Sequence, residues 1–401
     1  MPEYNTGAGE RHYYIASKLA ELEYDFTIVS GSVNHLFIKN PETSGLFSEE
    51  SFHGGRFIWV KLRNYKPESL YGRLFSWFEF LFKLFSLPVR KYKPDLVLVS
   101  SMSLWSSWYG IYIKRRLRIP FVLEIRDIWP MTPVQVGGIS KFNPFIIIFG
   151  FLEKLAYYQA DAFISLMPGF YKHLTKTIKR TKCVHWIPNA IERNLLCEVA
   201  QKTNRHCNGK FTIVYAGALG YANAMECFIK AAILLASYEI DFLIIGDGPE
   251  RAKLEVMAFD YPKIKFVNKV KKTEVLKVLL NADAGFISWG NYELYNYGVS
   301  ANKYNDYMLA KLPIISSSNI PDDPVVLAGC GIQVPSGDAN KIAEAILNLA
   351  SLSVNEREKL GENGYSYVMS NNTYEKISKQ YEDCIKQTLV NYNKITLRAK
   401  D

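Results

Sequence analysis

The stretch Gly298 to Pro313, GVSANKYNDYMLAKLP, gathers residue types suited to holding an anion. Ser300 and Asn302 are helix-capping types, Lys303 brings a positive charge, and the first turn of a helix presents unpaired backbone N–H groups. A phosphate fits such an entrance. Asp306 follows Lys303 by three residues and Ser300 by six, so on helical spacing it returns to the same side. There it can accept hydrogen bonds from a hydroxylated ring beyond the phosphate. Diphosphate plus sugar ring describes a nucleotide; an ordinary capped surface helix is the alternative reading.

Other segments carry chemistry of the same kind. Thr6 to Arg11, TGAGER, places Gly7 and Gly9 in a loop followed by an amphipathic helix (Ile15, Leu19, Leu22) and a strand, Asp25 to Ser30. A glycine loop that introduces a helix allows close backbone approach to a ligand. Pro120 to Thr132, PFVLEIRDIWPMT, reads as a strand that delivers Glu124, Arg126 and Asp127 to a loop closed by Trp129 and Pro130. Ligand groups belong at the carboxyl ends of parallel strands; a salt-bridged strand end is the alternative. The turns GALG (Gly217 to Gly220) and GDGPE, which contains Gly248, Pro249 and Glu250, each follow a strand.

The elements that must position these residues alternate. Apolar runs at Asp95 to Ser101 and Ala160 to Met167 are of the kind buried in parallel sheets. Strand Phe211 to Ala216, helix Met225 to Ala236, strands Phe242 to Gly246, Ile264 to Val267 and Ala284 to Ser288, strand Leu312 to Ser317, Gly331 to Pro335 and helix Ala339 to Leu349 repeat that rhythm. Such alternation argues for doubly wound α/β domains. The polar, irregular Glu198 to Lys210 is the expected linker, giving domains at 1–197 and 208–375 and a closing helix at 376–401. Two aromatic-rich helices, Leu70 to Leu87 and Phe142 to Gln159, read as buried core; a membrane-contacting face is the alternative, because Arg90, Lys91, Lys93, Lys114, Arg115 and Arg116 lie between them in the chain.

Composition narrows the classes. At 401 residues, 48% hydrophobic and 22% charged, the chain is globular in type. A mean hydropathy of −0.06 argues against a polytopic membrane protein. No apolar run reaches the ~18 residues of a spanning helix, and nothing at the N-terminus resembles a signal peptide, so a cytoplasmic place is expected. The six cysteines (183, 197, 207, 227, 330, 384) form no C-x-x-C, so neither a zinc site nor a disulfide framework is indicated. The charge of +9 favours polyanionic partners. Histidines 12, 35, 53, 173, 185 and 206 show no acidic cluster in the sequence.

SANKYNDYMLAKLP resembles the S-P-N-K-x-x-D-Y-x-A-A-G-K-P segment of bacterial family 4 glycosyltransferases, retaining enzymes of the two-Rossmann-domain GT-B fold. EIRDIWP resembles their E-x-R-D-x-W-P segment, and VHWIPNAIE their I-P-N-G-V-D turn at the end of the first domain. Among known members the O-antigen and capsule amino-sugar transferases are the most similar in kind. The resemblance implies a GT-B fold facing a cleft, with the donor diphosphate held by Lys303 and neighbouring amides and the ribose by Asp306. It implies donor contacts from Gly7, Gly9, Gly217, Gly220, Gly248, Pro249, Glu250, Ser300 and Asn302, and reaction-centre contacts from Arg126 and Asp127. Related enzymes often carry histidine where Arg126 stands. Two departures are visible: Gly298 replaces a glutamate many members use on the donor sugar, and YANAME lacks the arginine and lysine many place after the first glycine turn, leaving Lys303 as the principal phosphate cation.

The expected function is transfer of a sugar, with retention, from a nucleoside diphosphate donor (UDP-linked) to a lipid-linked or growing surface-glycan acceptor. Oriented amides and Lys303 suffice for the leaving diphosphate, so no metal or cofactor is expected, and front-face attack assisted by that phosphate is what the resemblance implies. Expected partners are the nucleotide sugar, the lipid-linked acceptor and an anionic membrane surface on the inner face of the plasma membrane, not nucleic acid. The alternatives are a nucleotide-sugar epimerase of the same fold or an inactive remnant. One expectation concerns the chain's start: a doubly wound domain begins with a central apolar strand leading into the glycine loop, and only Pro2 to Asn5 precede Thr6. That strand is expected upstream of Met1, or lost.

Overall fold

The computed structural model describes residues 10–34, 37, 39–52, 55–66, 70–101, 104–193 and 210–398. Two compact units emerge: Met1–Val134, Ile139–Pro188 and Tyr374–Asp401 form one, and Gln135–Gly138 with Asn189–Thr373 form the other. The polar linker expected at Glu198 to Lys210 lies, but for Lys210, outside the described residues, and by contact the chain passes from the first unit to the second between Pro188 and Asn189. Its physical reason is local, because Asn189 is hydrogen-bonded to Ser300 and Asn305 of the second unit.

The first unit contains α1 (Glu10–Ala20), β1 (Phe26–Gly31), β2 (Phe47–Phe52), β3 (Gly55–Val60), α2 (Leu70–Leu84), β4 (Val97–Ser101), α3 (Ser106–Leu117), β5 (Phe121–Ile125), α4 (Met131–Gln135), α5 (Pro144–Gln159), β6 (Ala162–Ser165), α6 (Phe170–Ile178) and β7 (Val184–Trp186). Strands β4-β5-β6-β7 make a parallel sheet. Every residue of β5 and β6 is buried, as their unbroken apolar runs require. A separate sheet, in order β1-β3-β2, pairs β1 parallel and β2 antiparallel to β3. Among the described residues no strand joins the free edges of β1 and β4, and every residue of β1 stays partly exposed.

The two aromatic helices are not wholly core. Leu81 and Leu84 of α2 pack with Trp105, Tyr109, Phe149 and Leu152. On their other faces Phe82 of α2 is 68% exposed and Phe151 of α5 65%, with Phe75, Ile147 and Ile148 also exposed. Apolar residues stand on more than one face of each helix, so one face can be buried while another remains apolar toward solvent.

The second unit runs β8 (Phe211–Ala216), α7 (Glu226–Leu234), β9 (Ile240–Ile245), α8 (Arg251–Met257), β10 (Ile264–Val267), α9 (Lys272–Leu280), β11 (Ala284–Ser288), α10 (Asn302–Leu309), β12 (Ile314–Ser317), α11 (Pro324–Ala328), β13 (Gly331–Val334), α12 (Ala339–Ser351) and α13 (Val354–Asn371). The last helix, α14 (Tyr374–Arg398), belongs to the first unit, where Tyr374 stacks on Tyr14 of α1 at 4.5 Å. The sheet is parallel, in order β10-β9-β8-β11-β12-β13. Strand order thus reverses between β8 and β11, the point at which doubly wound sheets open a crevice for ligands. Alternation along β8 sends Ile213 and Tyr215 into one apolar layer with Phe228, Phe242 and Phe286, and Val214 into the other with Ile287, Tyr307 and Ile314.

At this crevice the turns after β8 and β9 interlock through backbone. Gly217 N donates to Ile245 O and Leu219 N to Asp247 O, both at 2.9 Å, while Glu250 N returns to Leu219 O at 3.0 Å. Gly246 has φ +150°, and a Cβ there would stand 1.8 Å from Gly217 O. Gly220 has φ −111° and open space where a Cβ would go.

Substituting Gly246→Ala should therefore destabilise the second unit by about 3 kcal/mol or more, whereas Gly220→Ala should change stability by less than about 0.5 kcal/mol. Urea unfolding followed by circular dichroism checks this pair. Equal midpoints for the two variants would contradict the interlocked-turn description.

Candidate functional site

The site in the second unit is built on Lys303. Its Nζ donates to Tyr215 Oη at 2.8 Å and to Asn223 Oδ1 at 2.7 Å, and sits 4.5 Å from the centre of the Tyr215 ring. The Tyr215 hydroxyl donates to Ala218 O at 2.6 Å, and Asn223 Nδ2 donates to the same carbonyl at 2.9 Å. Both partners of the ammonium are neutral. Burial pushes the Lys303 ammonium down to about 7. A cation so placed, in contact with dipoles and no counter-charge, gains most when an anion arrives.

Gly217 has a use that sequence spacing did not suggest. A Cβ there would lie 2.5 Å from Lys303 Cε and 2.9 Å from Nζ, so the glycine clears the path of the lysine itself. Tyr215 and Asn223 escaped sequence reasoning, since neither is charged and they precede Lys303 by 88 and 80 residues.

The start of α10 differs from expectation. Its capping position is Ala301, which has no side-chain oxygen to offer, and Asn302 is the first helical residue, exposed. Ser300 is not a cap. Its Oγ accepts from Asn189 N at 2.7 Å and its carbonyl from Asn189 Nδ2 at 2.6 Å. Asn305 Nδ2 adds a bond to Asn189 O at 2.9 Å, and Asn372 Nδ2 donates to Asn305 Oδ1 at 2.9 Å. Ser300 and Asn305 thus tie the Ile-Pro-Asn turn to this stretch. The first amides of α10 keep no side-chain cap, with Lys303 beside them and Asp306 one turn on, partly buried.

In the turn after β9, Gly248 N donates to Asp247 Oδ1 at 2.8 Å, and a Cβ on Gly248 would stand 2.4 Å from Leu219 O. Pro249 is exposed. Glu250 is buried at the start of α8, and burial, with repulsion from Glu226, raises its pKa. Gly217, Gly220, Gly248, Pro249, Glu250, Lys303 and Asp306 are thereby brought to the carboxyl ends of β8 and β9 and the start of α10 within one unit. Gly7 and Gly9 lie outside the described residues.

Arg126 and Asp127 follow β5 in the first unit. Asp127 Oδ1 accepts from Ile128 N at 2.9 Å and from Thr132 Oγ1 at 2.6 Å, so this oxygen shapes its own turn, and burial raises the carboxyl's pKa. The larger surprise is Glu124. It is fully buried and accepts from Arg11 Nε at 3.0 Å, from His12 Nε2 at 2.6 Å and from the Tyr381 hydroxyl of α14. Burial alone would raise this carboxyl; the charges of His12, Arg11 and Arg126 outweigh it and hold Glu124 well below the usual range. Arg11 also donates to the carbonyls of Pro188 and Ile187 at 2.5 and 2.8 Å. A second histidine also meets one carboxylate, His173 Nε2 lying 2.7 Å from Glu153, both buried. These pairs are separated by 112 and 20 residues and leave no local signature. Among the described residues no group of three His, Cys, Asp or Glu side chains could hold a metal ion.

Two family models match the chain: a glycosyl transferase 4-like domain over residues 6–190 and glycosyl transferases group 1 over residues 210–351. No curated protein matches it in sequence. Solved structures resemble it in fold. The sucrose-phosphate synthase of Thermosynechococcus elongatus superposes with a TM-score of 0.71, covering 96% of this chain and 94% of its own at 17% identity. A trehalose-6-phosphate protein of E. coli bound with UDP-2-fluoro glucose gives 0.68, covering 96% and 97% at 12% identity. An Anabaena protein in complex with UDP and glucose gives 0.60, covering 83% and 87% at 13% identity. With family matches in both halves and this fold throughout, the chain belongs to the group 1, family 4-like glycosyltransferases and has the GT-B fold.

Proposed function

We propose that this glycosyltransferase uses a nucleoside diphosphate sugar, UDP-linked, and transfers the sugar with retention to a hydroxyl of a lipid-linked or growing surface glycan of the O-antigen or capsule kind. The observation that carries the donor half is Lys303, a cation held by Tyr215 and Asn223 beside the uncapped start of α10 at the sheet's switch point. The diphosphate lies against Lys303 and the first amides of α10, and Asp306 accepts the ribose hydroxyls. As the donor bond breaks, negative charge grows on the diphosphate where these donors already point. Arg126 and Asp127 serve the reaction centre from the first unit. Similar structures in complex with UDP or a UDP-sugar support the choice of base.

The acceptor half rests on the first unit's surface. Phe75, Phe82, Ile147, Ile148 and Phe151 form apolar faces on α2 and α5. Beside them an open groove of about 430 Å³ is lined by Phe85, Trp108, Tyr112, Arg115, Arg116 and Leu155. Aromatic side chains with guanidinium groups at their margin suit the interface of an anionic bilayer, where the enzyme meets a lipid-linked acceptor while lying on the surface. Among the described residues no helix is long and apolar enough to cross a membrane.

Three outcomes follow from this reading. Asp306→Ala should weaken UDP binding by about 1.5 to 3 kcal/mol, the loss of a charged hydrogen bond, with the fold intact. Isothermal titration checks it, and equal affinity in mutant and parent would remove Asp306 from the ribose site.

UDP affinity should also fall as pH rises. Free Lys303 loses its proton near pH 7, whereas a bound diphosphate holds the proton on, so above that pH binding must take one up. Affinity should drop by up to about tenfold per pH unit above about pH 7. Calorimetry in buffers of differing ionisation enthalpy reads the proton uptake directly; no uptake at about pH 8 would contradict the assignment.

Co-sedimentation with vesicles of anionic phospholipid should be reversible and lost at high salt, and Phe82→Ser with Phe151→Ser should abolish it. Pelleting that ignores both the salt and the double substitution would separate these faces from the membrane.

A further inference from the structure

We propose that the groove bounded by α3, α5 and Phe85 is a site for one molecule of an anionic phospholipid, an acyl chain lying along its apolar floor and the phosphate resting on Arg115 and Arg116. The proposal deepens the membrane-surface reading above and rests on it, putting a saturable contact within the first unit in place of diffuse adsorption.

Spacing along α3 sets the site. Trp108, Ile111, Tyr112, Arg115 and Arg116 recur at intervals of three or four residues and so share one face of the helix. All five line the groove, and Leu155 of α5 and Phe85, just past α2, supply its other walls. The order is apolar first and cationic last, and from Trp108 to Arg116 the helix rises ~12 Å. A phospholipid has the same order, and an interfacial helix buries its apolar face to a depth of ~5–10 Å. Trp108 and Tyr112 are 40% and 39% exposed, and Phe85 meets the Tyr112 ring edge-on at 5.1 Å. Such side chains belong at the boundary between hydrocarbon and headgroups. The volume, about 430 Å³, is that of a cleft for a small ligand.

Charge chooses the headgroup. Helices α2, α3 and α5 carry two carboxylates between them, Glu79 and Glu153, and these are held by Lys83 and His173. Lys114, next to Arg115, is likewise spent on Asp161 and the Gln159 carbonyl. Arg115 and Arg116 are exposed, and among the described residues neither meets a carboxylate. A guanidinium offers parallel N–H donors to a phosphate, and two of them favour an anionic headgroup over a zwitterionic one. Cations in a helix's last turn also suit its dipole, which accounts for the charge but not for its place at the end of an apolar groove.

The test uses the full chain and dihexanoyl phosphatidylglycerol below its micelle concentration, followed by calorimetry. One lipid should bind per chain, and glycerol phosphate, a phosphate without the acyl chains, should not displace it. Dihexanoyl phosphatidylcholine should bind about tenfold more weakly, and Arg115→Gln with Arg116→Gln should weaken phosphatidylglycerol to the same degree with the unfolding midpoint retained. Phe82→Ser with Phe151→Ser, outside the groove, should leave this binding unchanged. Equal affinity for the two lipids, or equal affinity in parent and arginine variant, would overturn the phosphate contact. Displacement by glycerol phosphate would make the site one for a free anion, and several lipids per chain, or none, would return the groove to surface adsorption. A parent that binds one dihexanoyl lipid yet ignores vesicles of phosphatidylcholine and phosphatidylglycerol in equal parts overturns the membrane-surface reading alone. One that pellets with those vesicles yet binds no single lipid overturns the groove site alone.

Discussion

The second unit is arranged around the placement of one ammonium among neutral partners. Lys303 could have been given a carboxylate; it meets instead a phenol, an amide oxygen and the face of a tyrosine ring. Partial desolvation makes that placement costly in the free protein, as its lowered pKa records. The cost is recovered when a dianion enters, and an interaction that strengthens as charge develops is the kind that accelerates a reaction. Much nearby detail serves this end. Gly217 leaves room for the lysine's stem, Ala218 O orients both Tyr215 and Asn223, and Tyr307 of α10 accepts from Ala216 N at 2.7 Å, fixing the helix to the strand.

Rigidity comes from backbone rather than side chains. The turns after β8 and β9 exchange hydrogen bonds at contact distance, which only glycines at 246 and 248 permit. On the other flank, Asn189, Ser300, Asn305 and Asn372 form a chain of amide and hydroxyl bonds that holds the entrance of α10. The first unit uses a different device, a buried carboxylate shared by Arg11, His12 and Tyr381, which links α1, β5 and α14.

What was legible in the sequence follows from how local each signal is. Strand β8 and strands β10 and β11 fall at the residues where short apolar runs between polar segments place them. The three separated motifs point to the family and the fold because all three stand in this one chain in the family's order. Ser300 was misread because its type suits a cap, whereas its partner, Asn189, lies 111 residues away. The same distance problem hid Tyr215 and Asn223 from Lys303, and Glu124 from His12. Helices α2 and α5 could not be resolved into buried and exposed faces, since aromatic residues occur on both and periodicity gives no direction. Short helices such as α8 and α11, one to two turns long, carry too little pattern to be read at all.

The central claim is that Lys303, with the start of α10, holds the donor diphosphate. A crystal of the full chain grown with UDP tests it most directly. The account predicts a phosphate oxygen about 2.8 Å from Lys303 Nζ, within hydrogen-bond reach of the first α10 amides, and the ribose hydroxyls on Asp306. UDP bound elsewhere, with Lys303 still resting on Tyr215 and Asn223, would contradict it.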